Sequence, residues 1–206
     1  MSWNLWLPFL VANLVISVSP GPGAVLSMAT GLRHGYGAAL RSIAGLQAAL
    51  LLQLAVVTLG LGALLATSAT AFLVVKVLGA VYLVWLGVAK WRARVEALDE
   101  AGSAVGRPRG GLFMQGMLVN LTNPKAIVFM AALVPQFMVA TAPQWPQILV
   151  IATTMVVIDT VVMSCYALLA TRFRPLLRNP NALRIQNRVF GGLFVGAGAF
   201  LAASSR

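Results

Sequence analysis

The sequence predicts an all-α integral membrane protein, with six transmembrane helices arranged as two inverted three-helix repeats and helices 1 and 4 broken at proline motifs. Three observations carry this. Of 206 residues, 60% are hydrophobic and only 9% charged, and the mean hydropathy is +0.89; a soluble domain averages about 25% charged residues. The apolar residues gather into six segments, each near the ~20 residues that cross a bilayer. Two of those segments, half a chain apart, are interrupted in the same way, at Pro20-Gly21-Pro22-Gly23-Ala24-Val25-Leu26-Ser27-Met28-Ala29 and at Asn123-Pro124-Lys125-Ala126-Ile127-Val128-Phe129-Met130-Ala131. Placing Pro22 over Pro124, an offset of 102, sets Ala24, Met28 and Ala29 on Ala126, Met130 and Ala131. Paired interruptions in corresponding spans are the sequence mark of a transporter built from repeats, because unwound backbone is tolerated in a membrane only where it lines a site.

The first span runs from about Trp3 to Met28, broken at Pro20–Gly23. No basic region or cleavage site precedes it, so it reads as a retained span and not a signal peptide. The second covers about Leu40 to Ala66 and the third about Thr70 to Trp91. A connector follows, with Glu96, Asp99 and Glu100 and then Gly106-Arg107-Pro108-Arg109-Gly110-Gly111, the composition of a solvated linker. The fourth span covers about Leu112 to Pro135, broken at Asn123–Lys125. The fifth spans about Ile148 to Ala170, and the sixth, about Val189 to Ala203, is the shortest. The chain is thus one transmembrane domain, residues 1–206: repeat 1 over about 1–91, a cytoplasmic linker over about 92–111, and repeat 2 over about 112–206.

Charge sets the orientation. Arg33 and Arg41 flank loop 1. Lys90, Arg92, Arg94, Arg107 and Arg109 lie in loop 3, and Arg172, Arg174, Arg178, Arg184 and Arg188 in loop 5. These are twelve of the fifteen basic residues, and loops 2 and 4 carry none. The positive-inside rule places loops 1, 3 and 5 in the cytoplasm and both termini outside. Three spans then start outside and three start inside, which inverts the two halves. In a soluble protein a net charge of +11 would suggest nucleic acid; here membrane orientation accounts for it, and no nucleic-acid partner is expected.

Other classes lack their residues. Cys165 and His34 are the only cysteine and histidine, so an intramolecular disulfide and any cysteine or multi-histidine metal site are excluded. No cofactor is expected. A membrane enzyme would need a converging nucleophile, base or metal cluster, so the chain is read as a non-enzyme.

Outside the loops three ionisable residues remain: Lys76, Lys125 and Asp159. Charge at bilayer depth is costly, so each calls for a function or a partner. Asp159 lies near the midplane of the fifth span. A buried carboxylate beside a lysine can ionise as a pair or take up a proton when the partner moves away; it can equally bind an ammonium group, or form a fixed ion pair. Lys125, after the helix-breaking Asn123-Pro124, can hold a substrate carboxylate or be satisfied by carbonyls that the break frees. Lys76 can line the cavity or snorkel its ammonium to the outer surface. Pro20-Gly21-Pro22-Gly23 cannot sustain a regular helix: either it is unwound in the membrane, with free amides near Ala24 and Val25 that attract a carboxylate, or it is a turn at the membrane edge. Among the uncharged amides Asn13, Gln47, Gln53, Gln115, Asn120 and Asn123, all but Asn123 read as ties between helices. Gly192 and Gly196 allow the close packing that a homodimer would use.

Three motifs in this order, Ser19-Pro20-Gly21-Pro22-Gly23, Lys76-x-x-Gly79-Ala80-x-Tyr82-Leu83-x-x-Leu86-Gly87 and Asn123-Pro124-Lys125, resemble the LysE/RhtB family of amino-acid exporters over the whole chain. The resemblance implies a six-span protein of the bacterial inner membrane that exports amino acids or related small metabolites from the cytoplasm, driven by a proton or other ion gradient. Its homoserine/threonine/leucine efflux branch is nearer than the basic amino-acid branch. It also favours a cavity role for Lys76. Some relatives handle metal ions, so an inorganic-ion carrier or channel is the alternative, against which a single intramembrane acid counts. The expected mechanism is alternating access to a central cavity. The broken helices and Lys125 would hold the substrate carboxylate, and Asp159 its amino group or a competing proton.

Overall fold

A computed structural model describes residues 1–67, 74, 77, 80–81, 84–85, 87–89, 91–92, 111–139, 141–170 and 180–203. Seven helices carry these segments, apart from the isolated residues between 74 and 92: α1 (Trp3–Val18), α2 (Pro22–His34), α3 (Tyr36–Thr67), α4 (Gly111–Leu121), α5 (Pro124–Leu133), α6 (Gln144–Leu168) and α7 (Pro180–Ala203). A short 3₁₀ turn, Val134–Phe137, follows α5. No strand occurs among the described residues. The isolated described residues between 74 and 92 are helical and approach α7, where a Cβ added at Gly198 would lie 2.9 Å from the Ala80 carbonyl oxygen. The rest of the third predicted span, Lys76 included, and most of the connector lie outside the described residues.

Two helical stretches, Tyr36–Gly60 and Gln144–Leu168, are each long and apolar enough to cross a membrane. Two further spans are present if each bent pair is taken as one: α1 with α2, bent by 54°, and α4 with the Pro124–Phe137 segment, bent by 58°. The breaks have a common steric cause. A residue that precedes proline is driven out of the helical region by the ring Cδ. Ser19, Gly21 and Asn123 each precede a proline, and each is extended, with φ/ψ of −67°/112°, −147°/−169° and −78°/105°. Each following helix then restarts with proline in its first turn (Pro22, Pro124), where the missing N–H costs nothing.

Two ends differ from the sequence expectation. The first broken segment does not stop near Met28 but runs to His34, where Gly35, at φ +80°, turns the chain directly into α3. The last helix begins at Pro180, well before Val189, so Arg184 and Arg188 sit on helix and not in a loop. Hydropathy ends a span where polar residues begin. The backbone instead continues to a positive-φ glycine, or starts at a proline suited to the first helical position.

α1 shows the pattern of a helix with one apolar stripe turned outward. On α1, Leu7, Val11, Leu14 and Val18 are exposed while Phe9, Asn13, Ile16 and Ser17 are buried. Two apolar clusters fill the interior. One is built around Phe9, Leu54, Phe129, Met130, Phe137 and Ile151. The other is built around Leu26, Met28, Ile43, Leu46, Met163 and Tyr166. α3 and α4 cross backbone to backbone: a Cβ at Gly45 would overlap the Phe113 carbonyl oxygen, and one at Gly116 the Ser42 carbonyl oxygen. Small residues permit such approach where no hydrophobic force drives helices together. Gly116→Ala is therefore expected to cost about 3 kcal/mol through overpacking, read as a lowered melting temperature of the detergent-purified protein. Leu118→Ala, on the exposed face of the same helix, should leave the melting temperature close to its original value.

Candidate functional site

The site begins with the polar face of α1. Asn13 and Ser17 are one turn apart and buried, 2% and 5% exposed. Opposite them, α6 brings Asp159, and α3 brings Gln47, whose Nε2 donates to Asp159 Oδ2 at 2.7 Å. Ser17 and Lys125 lie near enough to the Asp159 carboxylate to act on it electrostatically. A cavity of about 60 Å³ lies here. Its polar wall is Asn13, Ser17, Asn120, Asn123, Lys125 and Asp159. Its apolar wall takes Ile16, Leu50, Phe129, Met130 and Met155 from one cluster and Ala24, Leu46 and Met163 from the other, so the cavity sits where the two clusters meet. Methionine thioethers adapt to differing shapes.

Most of the residues that the sequence singled out converge. Gly21, Gly23, Asn123, Lys125 and Asp159 line the cavity. Pro20, Pro22 and Pro124 do not; they shape the breaks. Lys76 lies outside the described residues. The two breaks are tied together by Lys125, whose Nζ donates to the Ile16 carbonyl at 2.8 Å and to the Ser19 carbonyl at 2.6 Å. Tyr166 Oη donates to the Val18 carbonyl at 2.7 Å. Three carbonyls that the end of α1 cannot satisfy within its own helix are thus met by side chains of α5 and α6. The carbonyls that engage Lys125 belong to the first break, not to its own.

The helix starts are less open than expected. Near the first break the Val25 amide donates to the Gly21 carbonyl at 3.1 Å, so of the two amides expected to be free, Val25 is already used. At the second break Asn123 caps α5, its Oδ1 accepting from the Lys125 amide at 3.1 Å, and the Ile127 amide donates to the Asn123 carbonyl at 3.1 Å.

The amides read as ties between helices divide. Gln53 Nε2 donates to the Asn120 carbonyl at 3.0 Å, and Asn120 Nδ2 to the Leu46 carbonyl at 2.9 Å, fastening α3 to α4. Gln47 instead holds Asp159, and Asn13 faces the cavity. Sequence reasoning missed both roles. For Asn13 the signal was present: Asn13 and Ser17 lie opposite the stripe Leu7, Val11, Leu14 and Val18. Among the described residues no three of His, Cys, Asp and Glu gather into a group that could hold a metal ion.

A buried acid, a lysine and neutral amides around a chamber between two broken helices suit the passage of a small zwitterion. Comparison with known proteins bears on the same point. The sequence model of the LysE type translocators matches residues 14–205. The chain belongs to the LysE type translocator family. The translocator is 44% identical over 204 residues to the homoserine/homoserine lactone efflux protein of Salmonella typhimurium, covering 99% of this chain and 98% of the relative. It is 42% identical, over 99% of each chain, to an uncharacterized membrane protein of Vibrio cholerae. It is 29% identical to a leucine efflux protein of Enterobacter, over 97% of this chain and 95% of the relative. No solved structure matches the translocator significantly. Family and apolar helices together make it an integral membrane protein.

Proposed function

We propose that this translocator is a secondary active exporter that moves amino acids, or closely related small metabolites, from the bacterial cytoplasm across the inner membrane in exchange for protons. The observation that carries the reading is Asp159, a carboxylate held by Gln47 with Ser17 and Lys125 near it, facing a chamber between two broken helices. The names of the efflux relatives support the substrate class. In this reading the substrate ammonium and a proton compete for Asp159, so release of one accompanies uptake of the other. Lys125 lends the chamber positive charge while it holds the first break. The six spans form two inverted halves, with loops 1, 3 and 5 cytoplasmic, and the halves rock about the chamber to expose it to each side in turn.

The test is export itself. Cells that express the chain and are preloaded with radiolabelled homoserine, threonine or leucine should lose label faster than cells with empty vector, and a protonophore should remove the difference. Equal loss in both would refute the exporter reading; protonophore-insensitive loss would refute proton exchange.

A further inference from the structure

We infer that Asn13 is the residue that recognises an uncharged oxygen of the substrate, and so sets the preference between polar and purely aliphatic amino acids. This rests on the exporter reading and adds to it a specificity determinant. Asn13 lines the chamber, is 2% exposed, and its Nδ2 has no hydrogen-bond partner. An amide N–H left unmet in the interior costs about 1–3 kcal/mol. The neighbouring polar groups do not serve it. Of the amide acceptors that share the chamber wall, Asn120 Oδ1 accepts from Asn123 Nδ2 and Asn123 Oδ1 caps α5. Asn13 thus presents a neutral donor to a chamber whose acid takes an ammonium group. A neutral donor suits a hydroxyl, ether or carbonyl oxygen, and gives nothing to a methylene in the same place. A site built to hydrogen-bond a polar atom discriminates strongly against a substrate that lacks it.

The test uses three substrates of nearly one shape: homoserine, O-methylserine and norvaline. The first two each place an oxygen where norvaline has carbon. Export by the unaltered chain, Asn13→Leu and Asn13→Asp is measured from cells or proteoliposomes loaded with each. The unaltered chain is expected to favour at least one oxygen-bearing substrate over norvaline. Asn13→Leu should cut that preference about tenfold while norvaline export persists, which also reports a folded protein. Should Asn13→Leu not reach the membrane, Asn13→Asp carries the test. It offers an acceptor in place of the donor, so export of the ether should fall while that of the hydroxyl compound, which can donate, is kept. An equal fall for all three substrates, or unchanged ratios in both variants, would overturn the assignment. Absence of export by the unaltered chain would instead refute the exporter reading.

Discussion

Asp159→Asn is expected to abolish gradient-driven efflux, by about 100-fold or more, while the protein still inserts and keeps its melting temperature within a few degrees. The substitution changes almost nothing in shape. An asparagine Oδ1 can still accept from Gln47 Nε2, which now donates to Asp159 Oδ2 at 2.7 Å. What is lost is the charge, and with it both capacities asked of the residue: holding an ammonium group and exchanging a proton. A hydrogen bond to a charged group contributes about 1.5–3 kcal/mol, and at 1.4 kcal/mol per tenfold the upper end is about 100-fold. Loss of proton exchange would stop uphill movement altogether. Efflux and downhill counterflow should be measured on the same proteoliposomes. Normal uphill efflux by Asp159→Asn would remove the carboxylate from the coupling role. A protein that no longer inserts would show that Asp159 serves as structure.

The breaks and the acid were legible because membranes penalise irregularity so heavily that each instance stands out of the sequence. Pro20, Pro22 and Pro124 announced extended residues before them, and Ser19, Gly21 and Asn123 are extended. Asp159 stood alone at depth in its span, and it faces the chamber. Partnership was not legible. Whether Lys125 would meet a substrate, its own break or another break depends on how α5 packs on α1, over a separation of more than a hundred residues. The amides were undecidable for the same reason. Gln47 and Gln53 lie on one helix, yet Gln47 faces α6 and Gln53 faces α4, and composition does not distinguish them. Span ends were displaced because hydropathy measures where lipid stops, whereas Gly35 and Pro180 mark where the backbone turns or starts.

Lys125→Met is expected to lower the stability of the folded protein by about 3 kcal/mol and to slow efflux severely, with little change in the substrate concentration for half-maximal rate. Methionine keeps the apolar stem and removes the ammonium. The Ile16 and Ser19 carbonyls then lose donors at 2.8 Å and 2.6 Å. Hydrogen bonds within membranes average about 0.6 kcal/mol and reach about 1.7 kcal/mol, and those that involve a charged group lie at or above that upper end, about 1.5 kcal/mol each. The fit is close: a Cβ on Gly21 would lie 3.3 Å from Lys125 Nζ, so the planar fork of Lys125→Arg should restore the charge without restoring the stability. The two readings of this lysine separate on the same pair of measurements. A residue that clasps the first break controls stability and maximal rate together, because α1, α2 and α5 must keep their angles for the chamber to form. A residue whose main work is to grip the substrate carboxylate would raise the half-saturating concentration by tenfold or more and leave the melting temperature untouched. That second pattern would transfer Lys125 from the clasp to the binding wall and leave the carbonyls of the first break to be satisfied by another group.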